Sequence, residues 1–85
     1  MPKKVDTKNN ETIKKVGLRI KQLRNKLGIS QTELGLRVDI PQSTVVRIEK
    51  GQINTTVATL DRIANALNVP LKILFEFDKD SSATS

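Results

Sequence analysis

Cysteine and histidine are both absent from the 85 residues of this chain. Without cysteine, neither disulfides nor thiolate metal ligation can hold the fold, and a reducing compartment is compatible with the composition. With histidine missing as well, the commonest acid/base, nucleophilic and zinc-ligating side chains are gone, leaving carboxylates, lysines and hydroxyls for any chemistry. No acid/base pair stands at a supporting spacing, and the carboxylates read as helix caps and surface charges. An enzyme, a metal centre and a cofactor are therefore not expected. Long apolar runs are also lacking: nothing approaches the length needed to cross a bilayer, and the opening MPKKVDTKNNET has no signal-peptide core. The expectation is a soluble cytoplasmic protein with no membrane partner.

What is present is a basic chain of one-domain size. A core built from 85 residues is modest, so pairing with a second copy is a natural source of stability. The formal charge of +6 is concentrated at the front, where residues 1–27 carry nine Lys/Arg against Asp6 and Glu11. Such an excess attracts a polyanion such as nucleic acid. A solubilising basic tail accounts for the same numbers, and charge alone does not separate the two.

Apolar spacing divides the chain into short helices. Residues 1–11 read as a flexible basic arm, and residues 78–85 (DKDSSATS with its Asp78 start) as a disordered polar tail. Ile13, Val16, Ile20, Leu23 and Leu27 fall on one face of a helix over about 12–26, which Gly28 is placed to end. Gly17, inside it, carries a small propensity cost. Ser30 and Glu33 form a capping-box pattern opening a second helix, with Leu34 and Val38 inward. Asp39 and Pro41 mark a break. A third helix, about 42–50, has only Val45 and Ile48 for an inner face and stops at Gly51, so most of its circumference is left to water. Thr56 caps a fourth, whose inner stripe is Val57, Leu60, Ile63, Ala64 and Leu67. The segment VPLKILFEF fits a last short helix through Leu71, Leu74 and Phe75, or a strand through Leu71, Ile73, Phe75 and Phe77; the short connection favours the helix.

Several motifs then occur in order. LR in helix 1, SQTEL opening helix 2, QSTVVRIEKG in helix 3 and TLDRIANALNV in helix 4 together resemble the Cro/C1-type (XRE-family) helix-turn-helix DNA-binding domains, over most of residues 13–77. The resemblance implies an all-α, lambda-repressor-like bundle of about five helices spanning residues 12–77. Helices 2 and 3 would form the helix-turn-helix, and helix 3 would enter the major groove of double-stranded DNA.

The same resemblance implies roles for individual residues. Gln42 and Ser43 match the family's leading base contacts, a Gln amide being able to pair bidentately with adenine. Arg47 points the same way, toward guanine or a phosphate, and Val46 toward a thymine methyl or simply solvent. Ser30 and Gln31 match phosphate contacts at the start of helix 2, Ser30 also serving as a plain cap. Thr44, Asn54, Thr55 and Thr56 would meet the backbone on the other side, or act as turn and cap residues. Arg24 and Glu49 match an ion pair tying helix 1 to the end of helix 3. Three positions depart from the pattern: Gly35 stands for alanine, Asp39 for the turn glycine, and Pro41 for a Ser or Thr cap.

The function implied is a homodimeric regulator, a repressor of its own or a neighbouring promoter, with Ile73, Phe75 and Phe77 as the dimer surface. An antitoxin that binds a toxin protein and represses its own operon is the alternative, as is a restriction-modification controller. Lys3, Lys4 and Lys8 of the arm would track phosphates or enter a minor groove, or only solvate the tail.

Overall fold

Four helices stop on a residue in left-handed backbone geometry, and these stops set the architecture. The structure, a computed structural model, describes residues 11–77. It contains α1 (Glu11–Leu27), α2 (Gln31–Val38), α3 (Gln42–Glu49), α4 (Val57–Ala66) and a fifth helical element, a 3-10 helix at Leu71–Phe75. Gly28, Asp39, Gly51 and Asn68 follow the four α-helices with φ of 76°, 63°, 72° and 62°. After α3, the Gly51 N–H bonds the Ile48 carbonyl at 3.0 Å and the Gln52 N–H reaches the Arg47 carbonyl at 2.9 Å. This double closure is the Schellman arrangement, and it satisfies carbonyls that a helix end leaves orphaned. The same closure follows Gly28 and Asn68. After α1, α2 and α4 the next residue turns inward, Ile29, Ile40 and Val69 packing against the core, whereas Gln52 after α3 is exposed.

The largest fully enclosed side chains of the core come one from each element: Ile20, Leu34, Val45, Ile63 and Leu74. Five short elements that cannot bury themselves singly thus share one interior. Leu27 does not join it. The chain reverses at Gly28, leaving Leu27 44% exposed, and Ile29 covers the core in its place. Val57 is likewise 66% exposed, because it is the first residue of α4 and the buried stripe begins at Leu60.

Helix starts are capped by hydroxyls where the sequence offers them. Ser30 Oγ accepts from the Glu33 N–H at 2.9 Å, and Thr56 Oγ1 from the Thr59 N–H at 3.1 Å. The reciprocal half of the box expected from Glu33 is not formed, since its carboxylate instead accepts from Arg37 Nε at 2.9 Å, one turn on. At Pro41 no side-chain cap exists, and its own carbonyl accepts from Thr44 and Val45 to start α3.

Two glycines are set by close approach. A Cβ on Gly17 would overlap the Ile48 carbonyl oxygen and lie 2.8 Å from that of Glu49, so α1 crosses the end of α3 backbone to backbone. At Gly35, a Cβ would lie 2.7 Å from the Ile40 carbonyl oxygen. The site is thus stricter than one that merely wants a small residue. The final segment, ambiguous by pattern, is helical because Pro70 and a short link set Leu74 into the core, and no described residue is in a strand.

Candidate nucleic-acid interface

The short, lightly apolar α3 has its buried side fixed by Val45, Ile48 and Glu49. At 3.6 residues per turn this leaves Gln42, Ser43, Arg47 and Lys50 exposed, with Thr44 and Val46 half-buried at the margins. Arg47 makes no side-chain hydrogen bond or ion pair among the described residues. The outward face of α3 therefore offers an amide, a hydroxyl and free cations.

Behind this face lies a buried ion pair. Arg24 Nε donates to Glu49 Oε2 at 2.7 Å and Arg24 Nη2 to Oε1 at 3.0 Å, a two-point contact that joins α1 to the end of α3. Arg24 Nη1 donates to the Ile29 carbonyl at 3.0 Å. Both residues are 7% exposed, and no buried side-chain polar atom among the described residues lacks a partner. The hydrogen bond to Glu49 raises the Arg24 pKa, burial opposes it, and the Glu49 charge adds to the rise.

The network continues outward. Gln31 Nε2 donates to Glu49 Oε1 at 3.0 Å, and Gln42 Nε2 donates to Gln31 Oε1 at 3.3 Å. A carboxylate only accepts, so Glu49 requires the NH2 of Gln31, and the carbonyl of Gln31 then faces Gln42. Gln42 in turn gives it one N–H and keeps its own carbonyl oxygen and second N–H. The polar sense of this exposed amide thus descends from a buried charge. The Arg24–Glu49 pair is the one expected from the family motifs, but nothing in the linear sequence links it to positions 31 and 42; the signal available was Gln at the first position of both α2 and α3.

The remaining positions fall into two patches rather than one. Ser30, Gln31 and Gln42 gather at the start of α3. Asn54 and Thr55 lie past its other end, lining a cleft with Thr12, Ile13 and Phe75, and Thr56 is held as the α4 cap. In the final segment, the Ile73 carbonyl accepts from Arg19 Nε at 3.1 Å, and the Phe77 ring sits 5.7 Å from Lys15 Nζ. Ile73 and Phe77 are half-buried, while Phe75 is 43% exposed. The arm lysines Lys3, Lys4 and Lys8, and the tail 78–85, lie outside the described residues.

The sequence profile of the HTH_3 helix-turn-helix family matches residues 20–74. The chain belongs to this family. Its helix-turn-helix is the α2–α3 pair, and its domain is all-α, of the Cro/C1 type. An uncharacterised HTH-type transcriptional regulator of Archaeoglobus fulgidus is 36% identical over 62 residues, 73% of this chain and 87% of the relative. Among solved structures, the restriction-modification controller protein C.AhdI of Aeromonas hydrophila superposes with a TM-score of 0.72 at 32% identity, over 74% of this chain and 96% of that one. The biofilm master regulator SinR, solved in complex with DNA, gives a TM-score of 0.67 at 31% identity, over 72% of this helix-turn-helix chain and 98% of its own.

Proposed function

We propose that this helix-turn-helix protein is a sequence-specific DNA-binding transcriptional regulator that reads bases with the exposed face of α3. The observation that carries the reading is the chain of hydrogen bonds from Arg24 through Glu49 and Gln31 to Gln42. It leaves Gln42 with one acceptor and one donor, the complement of adenine N6 and N7 in the major groove. Arg47, without a side-chain partner among the described residues and one turn further on, suits guanine or a phosphate. Ser43 and Val46 complete the base-facing set. Ser30 and Gln31 at the start of α2, Thr44, and Asn54, Thr55 and Thr56 after α3 are assigned to the phosphate backbone on either side. SinR, of the same fold, was solved in complex with DNA, which supports DNA as the partner.

The protein acts as a homodimer in this reading. One α3 spans few base pairs, so two copies about 34 Å apart, on successive turns of DNA, supply the specificity a regulator needs. Phe75, beside Ile73 and Phe77, is the apolar side chain offered to a second copy. The activity assigned is repression of its own or a neighbouring promoter. A more specific variant, a restriction-modification controller, is favoured by the likeness to C.AhdI over nearly the whole of that chain. The antitoxin alternative gains no support from residues 71–75, which form a 3-10 helix tied to α1.

The test is fluorescence anisotropy with the duplex upstream of the gene, comparing wild type with the Gln42→Ala/Arg47→Ala double substitution. Each base contact is worth about 1–3 kcal/mol, so the double substitution should weaken binding at least about 30-fold. Equal binding by the two proteins would remove α3 as the reader.

A further inference from the structure

The lysines and arginines of α1 look alike in the sequence but are sorted by the fold. Lys15 and Arg19, one turn apart, are both turned onto the C-terminal segment. Arg19 holds the Ile73 carbonyl at 3.1 Å, and Lys15 stands over the Phe77 ring at 5.7 Å. Their charges are committed within the domain. Lys14 faces elsewhere. A Cβ built on Gly51 would lie 2.8 Å from Lys14 Cα and from its Cγ, so the stem of Lys14 rests against the bare backbone that ends α3. Gly51 has φ 72° and opens the loop to α4. Thr12, in the same first turn of α1, shares a cleft with Asn54 and Thr55 of that loop.

The charge balance gives this placement a use. The loop Gln52–Thr56 contains amides and hydroxyls but no cation. A phosphate backbone running along it would meet hydrogen-bond donors with no positive charge from the loop itself. Lys14 is exposed and, among the described residues, forms no side-chain hydrogen bond or ion pair, with Glu11 one turn earlier included. Its stem is seated on Gly51, where the uncharged loop begins.

We infer that Lys14 is a DNA-phosphate contact, seated on Gly51, which supplies the charge that the α3–α4 loop lacks. This rests on the DNA-binding reading above and adds the first turn of α1 to its footprint. A phosphate contact carries no base information but releases counterions, so its loss reduces the salt dependence of binding and leaves sequence discrimination intact.

The experiment measures binding of the full chain to operator and scrambled duplexes from 50 to 200 mM salt, for wild type, Lys14→Gln, Lys14→Arg and Lys15→Gln. Lys14→Gln should flatten the slope of log K against log salt by about 0.9, weaken binding to both duplexes by the same factor, and leave the ratio between them unchanged. Lys14→Arg should keep the wild-type slope, and Lys15→Gln should keep it too. A wild-type slope in Lys14→Gln, or an equal loss in Lys15→Gln, would overturn the contact and leave α1 as a diffuse field. Wild type that does not prefer the operator would instead bring down the DNA reading, and this inference with it.

Discussion

Glu49 has the heaviest duties of any single residue. Its carboxylate accepts from Arg24 twice and from Gln31 once, all within a nearly closed site. Replacing a buried ion pair wholesale with apolar residues can be neutral, whereas removing one partner strands the other. Glu49→Ala should therefore cost about 3–5 kcal/mol. At several degrees per kcal/mol for a domain of this size, the melting temperature should drop by more than about 10 °C in a thermal scan. Arg37→Ala, which removes only the exposed pair with Glu33, should change stability by less than about 1 kcal/mol. Equal melting temperatures for the two variants would mean that the Arg24–Glu49 pair contributes nothing. The sign of the pH effect follows from Arg24. Because its folded pKa is raised, its stabilisation is complete at every pH below the ordinary guanidinium range and is lost only in strong alkali. Its share of stability should therefore be flat from neutral to moderately alkaline pH.

At the scale of elements, the crossing of α1 over α3 depends on Gly17. By propensity alone, Gly17→Ala would stabilise a helix by up to about 1 kcal/mol. The contact reverses that sign, because the new methyl meets the carbonyls of Ile48 and Glu49, and backbone atoms cannot swing aside. A loss of about 1–3 kcal/mol in chemical denaturation is expected, and a gain would contradict the close approach. This residue also shows how legible the fold was. Periodicity located all four α-helices, because Val16, Ile20, Leu34, Val45, Leu60 and Ile63 each repeat at helical spacing. It overreached at the ends, enrolling Leu27 and Val57, because spacing does not reveal where a chain turns away. It treated Gly17 as a small cost, since a backbone crossing leaves no pattern along one chain. Ser30 and Thr56 were readable as caps because capping is local. Glu33 was not, because Arg37 competed for it. For the candidate site, the exposed face of α3 was legible from its thin apolar stripe. The link through Gln31 was not, since it joins three elements through side chains distant in sequence.

For the molecule as a whole, the question is how one small domain gains enough specificity to regulate a gene. The proposed answer is a dimer through the 3-10 helix, in which Phe75 is the most exposed apolar side chain. Leu74 anchors that helix in the core, and Arg19 fastens it to α1, so Phe75 stands on a fixed support. Phe75→Lys should shift the mass measured by light scattering at micromolar concentration from two copies to one, while the melting profile of the domain persists. A wild-type monomer under those conditions would refute the dimer. The central claim is narrower: base recognition by α3, oriented from the buried ion pair. Its most direct test is the affinity ratio between operator and scrambled duplex, at fixed salt, for wild type and Gln42→Ala. The account predicts that Gln42→Ala lowers the ratio by about 5- to 150-fold while affinity for the scrambled duplex holds. An unchanged ratio would mean that Gln42 reads no base and that the hydrogen-bonded chain behind it serves stability alone.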